Sequence, residues 1–228
     1  MQLLKKKGLL IFWLFLLLDC YFIYSKDENY RIFTKPLLVP ILGFYIFLNA
    51  RKNHYHNTKT LLFLALVCAW MGDMLLMNTS QTFFLLGMLA FALTHIFFGT
   101  IFYRIHKLKL AKCQEAFIAT IIIIIADAFL YRFIKAGLGN LKIPIVVYMS
   151  IISTMAIMAA NLLGSGLRRQ SAVNYFIPAA ILFIFSDAVL ASQLFVFTDT
   201  DFLPVIVMLS YGYALSLMCE GFSKLLKG

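Results

Sequence analysis

Four aspartates occur inside segments that are otherwise apolar, and these carboxyl groups are the first candidates for chemistry. They are Asp19, Asp73, Asp127 and Asp187, separated by 54, 54 and 60 residues. An aspartate at the centre of a membrane span costs roughly 2.5–3.5 kcal/mol on insertion scales, so each one needs a reason to be there. A structural reason is a carboxyl that bonds helices together, either protonated or hydrogen-bonded to a neighbouring Ser, Thr or Tyr, and a functional reason is acid–base catalysis.

Asp73 and Asp187 share surroundings that favour the functional reason. Each follows a small residue, Gly72 or Ser186, which lets another helix or a ligand approach closely. Two carboxyls that meet in a low-dielectric cavity do not both ionise easily, so one can act as an acid while the other acts as a base. For the other two aspartates, nearer the ends of their segments, the structural reason is favoured.

Other polar residues in apolar segments could complete such a site. Lys35 either extends towards the membrane surface or contacts a phosphate or an aspartate, and His95 is either a packing residue or part of the site. Tyr211 and Tyr213 can donate hydrogen bonds, although either one alone favours packing. Together with Ser186, these four residues are the predicted substrate-binding set.

The segments that carry these residues predict an all-α integral membrane protein. Hydrophobic residues form 62% of the 228-residue chain and charged residues only 13%, whereas a soluble domain has about 25% charged residues. A helix needs about 20 apolar residues to cross the hydrocarbon core. The polar breaks divide residues 1–228, a single polytopic domain, into eight spans: about 8–25, 33–49, 59–78, 82–104, 114–133, 142–163, 172–197 and 202–223.

The first two spans each have a feature that is unusual for a transmembrane helix. The first resembles a signal peptide, but bulky residues follow it where a cleavage site requires small ones, so we expect it to remain as a helix. The second is the weakest, because Lys35, Pro36 and Pro40 interrupt it.

The basic residues predict an orientation with both termini in the cytoplasm. The net charge is +10, and most basic residues lie at the ends of apolar segments, which is typical of membrane topology and not of a nucleic-acid partner. Six of them fall on the predicted outer side: Lys26, Arg31, Lys35, Arg132, Lys135 and Lys142. Fourteen fall on the inner side: Lys5, Lys6, Lys7, Arg51, Lys52, Lys59, Arg104, Lys107, Lys109, Lys112, Arg168, Arg169, Lys224 and Lys227.

The four aspartates are also distributed regularly over the predicted spans. Each odd-numbered span carries one of them, in its predicted outer half. Residues 70–76 and 184–190 are the best-matched pair of segments, which is consistent either with duplicated helical hairpins or with chance similarity between apolar helices.

The four cysteines give no sign of a disulfide or a metal site. Cys20, Cys68, Cys113 and Cys219 are scattered, and no Cys/His cluster has the spacing of metal ligands. We expect no metal and no cofactor, and the sequence indicates no protein partner.

Short motifs spread from the second span to the last resemble the lysoplasmalogenase (YhhN-like) membrane protein family. They are Lys35-Pro36, Gly72-Asp73, Gly87 with His95, Ser186-Asp187 and the tyrosines Tyr211 and Tyr213. The resemblance implies a polytopic hydrolase that cleaves the vinyl ether bond of a lysoplasmalogen. The implied products are a fatty aldehyde and glycerophosphoethanolamine or glycerophosphocholine.

The implied reaction suits two carboxyls. A vinyl ether is stable to base but opens in acid, because protonation of its β-carbon gives an oxocarbenium ion to which water adds. Such an enzyme needs one carboxylic acid and one carboxylate, and Asp73 and Asp187 could supply them in either order. Lys35 or His95 could bind the phosphate or orient an aspartate.

The sequence also leaves three other functions to consider. The main alternative is a proton-coupled transporter of a small or lipid-like solute, which predicts discontinuous helices. An intramembrane aspartyl protease is disfavoured because Trp70 occupies the first glycine position of a GxGD motif. A ligand-sensing receptor is disfavoured by the short polar loops. We expect a location in the plasma (inner) membrane of a bacterium.

Overall fold

A computed structural model describes residues 2–49, 56–78, 80–108, 114–197 and 200–227. Eight helices in these ranges are long and apolar enough to cross a membrane, and no described residue forms a β-strand. Their bounds are α1 Gln2–Tyr24, α2 Glu28–Asn49, α3 His56–Leu75, α4 Gln81–Ile105, α5 Gln114–Ile134, α6 Lys142–Asn161, α7 Ile177–Phe195 and α8 Leu203–Lys227.

All eight predicted spans are present as helices. The basic residues Arg51, Lys52, Lys109 and Lys112, used in the orientation argument, lie outside the described residues, as does Cys113.

The expected interruption of the second span is wrong, because α2 is continuous through Pro36 and Pro40. Pro40 has no N–H to donate to the carbonyl of Pro36, four residues earlier, so that carbonyl loses its usual helical partner. The indole Nε1 of Trp70 on α3 donates a hydrogen bond of 2.9 Å to this same carbonyl. A neighbouring helix therefore replaces the missing bond, as apolar surroundings require.

The seventh span is where the helical geometry changes. It begins with a single α-turn, Arg169–Ser171, and a π-helical segment, Ala172–Phe176, before α7 starts at Ile177. The ring of Phe176 packs against α8 at Gly221, where a Cβ atom would lie 2.7 Å from that ring. The glycine thus allows the irregular segment to seat against α8.

The helices differ greatly in how much of their surface is buried. Consecutive helices pair as hairpins, with α1 on α2, α3 on α4 and α7 on α8. The last helix is the most central, whereas α5 packs mainly on α6 and buries only Ala116 and Ile134. A cluster of neighbouring phenylalanine rings fills part of the interior: Phe98, Phe102, Phe176, Phe183 and Phe222.

Two glycines bring α3 and α4 close together. A Cβ atom on Gly72 would lie 2.8 Å from the ring of Phe91, and one on Gly87 would lie 2.8 Å from Leu76. Small residues at a helix interface allow this kind of close approach. The expected close approach beside Asp73 is therefore present, and the residue that uses the space is Phe91.

Candidate functional site

Many of the polar side chains of the bundle line one cavity of about 840 Å³, which we call the polar cavity. It lies between α1, α2, α3, α4, α7 and α8, and it reaches the end of the bundle that holds the α1–α2 and α7–α8 connections. Its charged and hydrogen-bonding lining residues are Lys26, Glu28, Arg31, Lys35, Asp73, His95, Ser186, Asp187, Gln193, Thr200, Asp201 and Tyr211.

Asp73 lies in this cavity at the end of α3 and is almost completely buried. Its Oδ2 accepts a hydrogen bond of 2.8 Å from the hydroxyl of Tyr211 on α8. Lys35, also buried, lines the same cavity. An aspartate from α3, a lysine from α2 and a tyrosine from α8 thus share this cavity.

Asp187 lies in the same cavity on α7 and has different neighbours. Its Oδ2 accepts a hydrogen bond of 2.6 Å from the hydroxyl of Tyr148 on α6. The Nε2 atom of His95 lies 3.3 Å from that hydroxyl and 3.9 Å from the carboxylate oxygen. His95 is buried, and its Nδ1 has no hydrogen-bond partner within the described part of the chain.

The predicted substrate-binding residues fall into two groups. Lys35, His95, Ser186 and Tyr211 line the polar cavity together with both predicted catalytic aspartates. Ser186 also donates a hydrogen bond of 3.0 Å to the carbonyl of Val207, which ties α7 to α8. Tyr213 does not line the cavity, since its ring packs edge-on against Trp13 and 45% of its surface is exposed. Two residues along a helix turn a side chain to nearly the opposite face.

The other two aspartates have the hydroxyl partners that the structural reason predicts. Thr34 on α2 donates a hydrogen bond of 2.7 Å to Asp19 on α1, and Ser153 on α6 donates one of 2.6 Å to Asp127 on α5. Each bond joins two neighbouring helices, so these carboxyls help to hold the bundle together.

Charged residues surround the mouth of the polar cavity. Arg31 on α2 is held between Glu28, at 3.3 Å, and Asp19, at 3.9 Å from its Nε. Across the opening, Lys26 forms an exposed ion pair of 2.9 Å with Asp201. Cationic and anionic groups therefore both face a ligand that enters from this end.

A narrow, mostly apolar crevice adjoins the polar cavity between α4, α5, α6 and α7, and we call it the side crevice. Asp187 lines both spaces, so it stands at their junction. The open space in the crevice is about 60 Å³. Its lining residues are Leu76, Phe84, Met88, Phe91, Asp127, Leu130, Ile134, Ile145, Tyr148, Met149, Ile152, Ile184, Asp187, Ala188, Leu190, Ala191, Leu194 and Phe195.

Sequence reasoning missed two residues of this site. Tyr148 is a hydroxyl in the middle of an apolar segment, and a buried tyrosine usually finds a hydrogen-bond partner, which is the signal that could have identified it. Arg31 was counted only as an outer basic residue, although the helix that carries it starts five residues earlier than the predicted position 33. The earlier start places Arg31 inside a helix that lines the cavity.

Eight long apolar helices, six of which enclose a carboxyl-lined cavity, fit a multi-pass helical membrane protein. Residues 30–222 match the YhhN family, so the chain belongs to this family, which includes the lysoplasmalogenases. No curated protein and no solved structure matches the chain.

Proposed function

We propose that the protein hydrolyses the vinyl ether bond of a lysoplasmalogen, with Asp73 and Asp187 as the acid–base pair. The observation that carries this proposal is that both aspartates line one cavity, each accepting a hydrogen bond from a different tyrosine. Membership of the YhhN family is compatible with this activity. The substrate is a lysophospholipid with an alkenyl chain and an ethanolamine or choline head group.

The charged mouth of the cavity suits the head group. Lys35 and Arg31 carry positive charge towards the phosphate, and Arg is well suited to bind phosphate oxygens. Glu28 and Asp201, which also line the cavity, offer carboxylates to the ammonium group of ethanolamine or choline. The substrate then lies with its phosphate near the mouth and its alkenyl chain deeper in the bundle.

This placement assigns different roles to the two aspartates. Asp187, at the junction with the side crevice, is nearest to the alkenyl carbons and transfers a proton to the β-carbon. The resulting positive charge is shared between the α-carbon and the ether oxygen, and the Asp73 carboxylate stabilises it. Tyr148 holds one oxygen of Asp187 by its hydrogen bond, which leaves the other to carry the proton.

Water completes the reaction. Its oxygen adds to the α-carbon as Asp73 accepts a proton from it, and the product is a hemiacetal. As the hemiacetal collapses, the bond between the α-carbon and the glycerol oxygen breaks. Asp187 takes up the proton of the hemiacetal hydroxyl and Asp73 gives its proton to the leaving glycerol oxygen, which returns both aspartates to their starting protonation. One water is consumed, and an aldehyde and a glycerophospho-alcohol leave the cavity.

The test is aldehyde release from a lysoplasmalogen by the detergent-purified protein. Asp73→Asn and Asp187→Asn should each lower the rate by about 10²–10⁴-fold, the usual contribution of a general acid or base. Asp27→Asn, in the α1–α2 connection and outside the cavity lining, is the matched control and should keep full activity. Full activity in both cavity variants, with the fold retained, would exclude this assignment.

A proton-coupled carrier is the second candidate, and the size of the polar cavity favours it. The test is solute flux into vesicles without chemical conversion. This alternative predicts a discontinuous helix, but α2 is continuous. In a carrier, the π-helical segment Ala172–Phe176 would have to serve as the break in a helix. Flux of a lipid-like solute that depends on Asp73, without aldehyde formation, would favour the carrier.

The proposal includes the location and orientation expected from the sequence. The protein spans the plasma membrane of a bacterium with both termini in the cytoplasm, so the mouth of the polar cavity faces outwards. The excess of basic residues on the predicted inner side supports this orientation. A substrate would then enter from the outer leaflet.

A further inference from the structure

We propose that the side crevice binds the alkenyl chain of the substrate and thereby sets its chain-length preference, an inference that rests on the proposed function. The chain passes Asp187 on leaving the polar cavity and continues between α4, α5, α6 and α7. The crevice thus supplies the apolar half of a binding site whose polar half is the cavity.

The crevice lies directly against the polar cavity. The two spaces share Leu76, Phe91, Asp187, Leu190 and Leu194, so one wall serves both. A lysolipid has its charged head group and its apolar chain on opposite sides of the ether oxygen. The polar cavity suits the head group and the crevice suits the chain. Asp187 lies between the two spaces, where the ether must be placed.

Each helix contributes a single face to the crevice. On α7 the lining residues include Ile184, Asp187, Ala188, Ala191 and Leu194, with the spacing of one helical stripe. The helices α4, α5 and α6 line it with similar stripes, which are mainly aliphatic or aromatic. Such a surface suits a hydrocarbon chain, whose burial away from water is favourable for every methylene group.

Three polar side chains line the crevice, and each can be covered by an apolar ligand at little cost in free energy. They are Asp127, Tyr148 and Asp187. Tyr148 is hydrogen-bonded to Asp187, and Ser153 is hydrogen-bonded to Asp127. A polar group that is already hydrogen-bonded costs much less when apolar atoms cover it than an unpaired one does. The chain can therefore lie across these groups without leaving a carboxyl unpaired.

The walls of the crevice can also adapt. Its open space of about 60 Å³ is too small for a long chain, so side chains must move when one binds. Met88 and Met149 line it, and methionine side chains are flexible enough to reshape an apolar pocket. A second space of about 360 Å³ shares Phe84 and Leu194 with the crevice and extends it towards the α3–α4 connection.

The peripheral position of α5 gives the chain a route from the bilayer. This helix packs mainly on α6 and lies largely exposed on its other sides, so the crevice is bounded there by one loosely held helix. A lysolipid can slide in with its chain remaining among apolar groups throughout.

The experiment measures binding of saturated 1-alkyl ether lysophospholipids, which lack the vinyl bond and cannot react by the proposed route. The unaltered protein should bind the hexadecyl compound at least about tenfold more tightly than the octyl compound, because each extra buried methylene adds affinity. Ala191→Phe should remove most of this difference by filling the crevice one turn beyond Asp187. Binding is followed by isothermal titration in detergent.

Three further variants make the result specific. Leu130→Ala enlarges the crevice and should increase the preference for longer chains, which gives a second test should Ala191→Phe fail to fold. Ala128→Phe, on the exposed surface of α5, should change nothing. Val147→Phe probes a separate groove of about 540 Å³ between α4 and α6, and it should also leave the preference unchanged.

Two results would overturn the inference. One is equal binding of both chain lengths by the unaltered protein, and the other is a chain-length preference that responds to Val147→Phe but not to Ala191→Phe or Leu130→Ala. Aldehyde release from the vinyl ether is measured separately. A protein that binds by chain length but releases no aldehyde refutes the proposed hydrolysis alone, whereas aldehyde release with unchanged chain preference in the crevice variants refutes the crevice alone.

Discussion

The hydroxyl of Tyr148 donates a hydrogen bond of 2.6 Å to Asp187 while it lies 3.3 Å from Nε2 of His95. One side chain from α6 thus connects an aspartate on α7 with a histidine on α4. A hydroxyl has a single proton, so while Tyr148 donates to Asp187, the imidazole can only donate to the tyrosine oxygen. The geometry therefore favours the tautomer of His95 that carries its proton on Nε2, which leaves Nδ1 as an acceptor.

Removal of this hydroxyl should impair catalysis without disturbing the fold. Tyr148→Phe keeps the ring between the helices but leaves Asp187 without its hydrogen bond. Asp187 becomes a carboxylate as it gives up its proton, and hydrogen bonds to charged groups contribute about 1.5–3 kcal/mol, so aldehyde release should fall by roughly 10–100-fold. The measurement is the rate with a saturating lysoplasmalogen, together with the thermal unfolding midpoint. An unchanged rate in a folded variant would show that Tyr148 does not position Asp187.

Tyr211 and Tyr213 form a matched pair for testing the other aspartate. Tyr211→Phe removes the 2.8 Å hydrogen bond to Asp73 and should lower the rate by roughly 10–100-fold. Tyr213→Phe removes a hydroxyl that lies outside the cavity lining, so we expect its rate to stay within about twofold of the unaltered protein, since surface changes have small effects. Equal loss in both variants would favour the sequence-based prediction that both tyrosines bind substrate.

The positions of the helices could be predicted from the sequence because long apolar runs leave few alternatives in a membrane. The continuity of α2 could not, since it depends on a hydrogen bond from Trp70, a residue on another helix. The same limit applies to Tyr148, whose partner lies 39 positions further along the chain. Local patterns identified the carboxyls, but the packing of α6 against α7 decides which hydroxyl Asp187 meets.

The predicted orientation can be tested with single cysteines placed at opposite ends of the bundle. Asn140→Cys lies in the α5–α6 connection, and Leu167→Cys lies in the connection between α6 and α7, where 93% of the leucine surface is exposed. The positive-inside rule predicts that Asn140 faces outwards and Leu167 inwards. A membrane-impermeant maleimide should therefore label only the first in intact cells, and both after permeabilisation. The unaltered chain gives the background from native cysteines, and labelling of Leu167→Cys alone would reverse the orientation.

The hydrogen bond between Thr34 and Asp19 should contribute to stability and not to catalysis. Asp19 is completely buried and does not line the polar cavity, and its Oδ2 has no hydrogen-bond partner among the described residues. Thr34→Val removes the 2.7 Å bond to its other oxygen. Loss of a partner from a buried polar group costs about 1–3 kcal/mol, so the free energy of unfolding should fall by that amount.

The comparison for this variant is Thr100→Val, which makes the same change of side chain but removes a hydroxyl that, within the described part of the chain, donates to the carbonyl of Ile96 on its own helix. That change should alter the free energy of unfolding by less than about 0.5 kcal/mol, as is usual for exposed positions. Denaturation of the detergent-solubilised protein measures both variants, and aldehyde release per folded molecule should be unchanged in each. Equal stability of the two variants would mean that Asp19 finds another partner when Thr34 is replaced. In that case Arg31, whose Nε lies 3.9 Å from Oδ2 of Asp19, is the group in position to provide it.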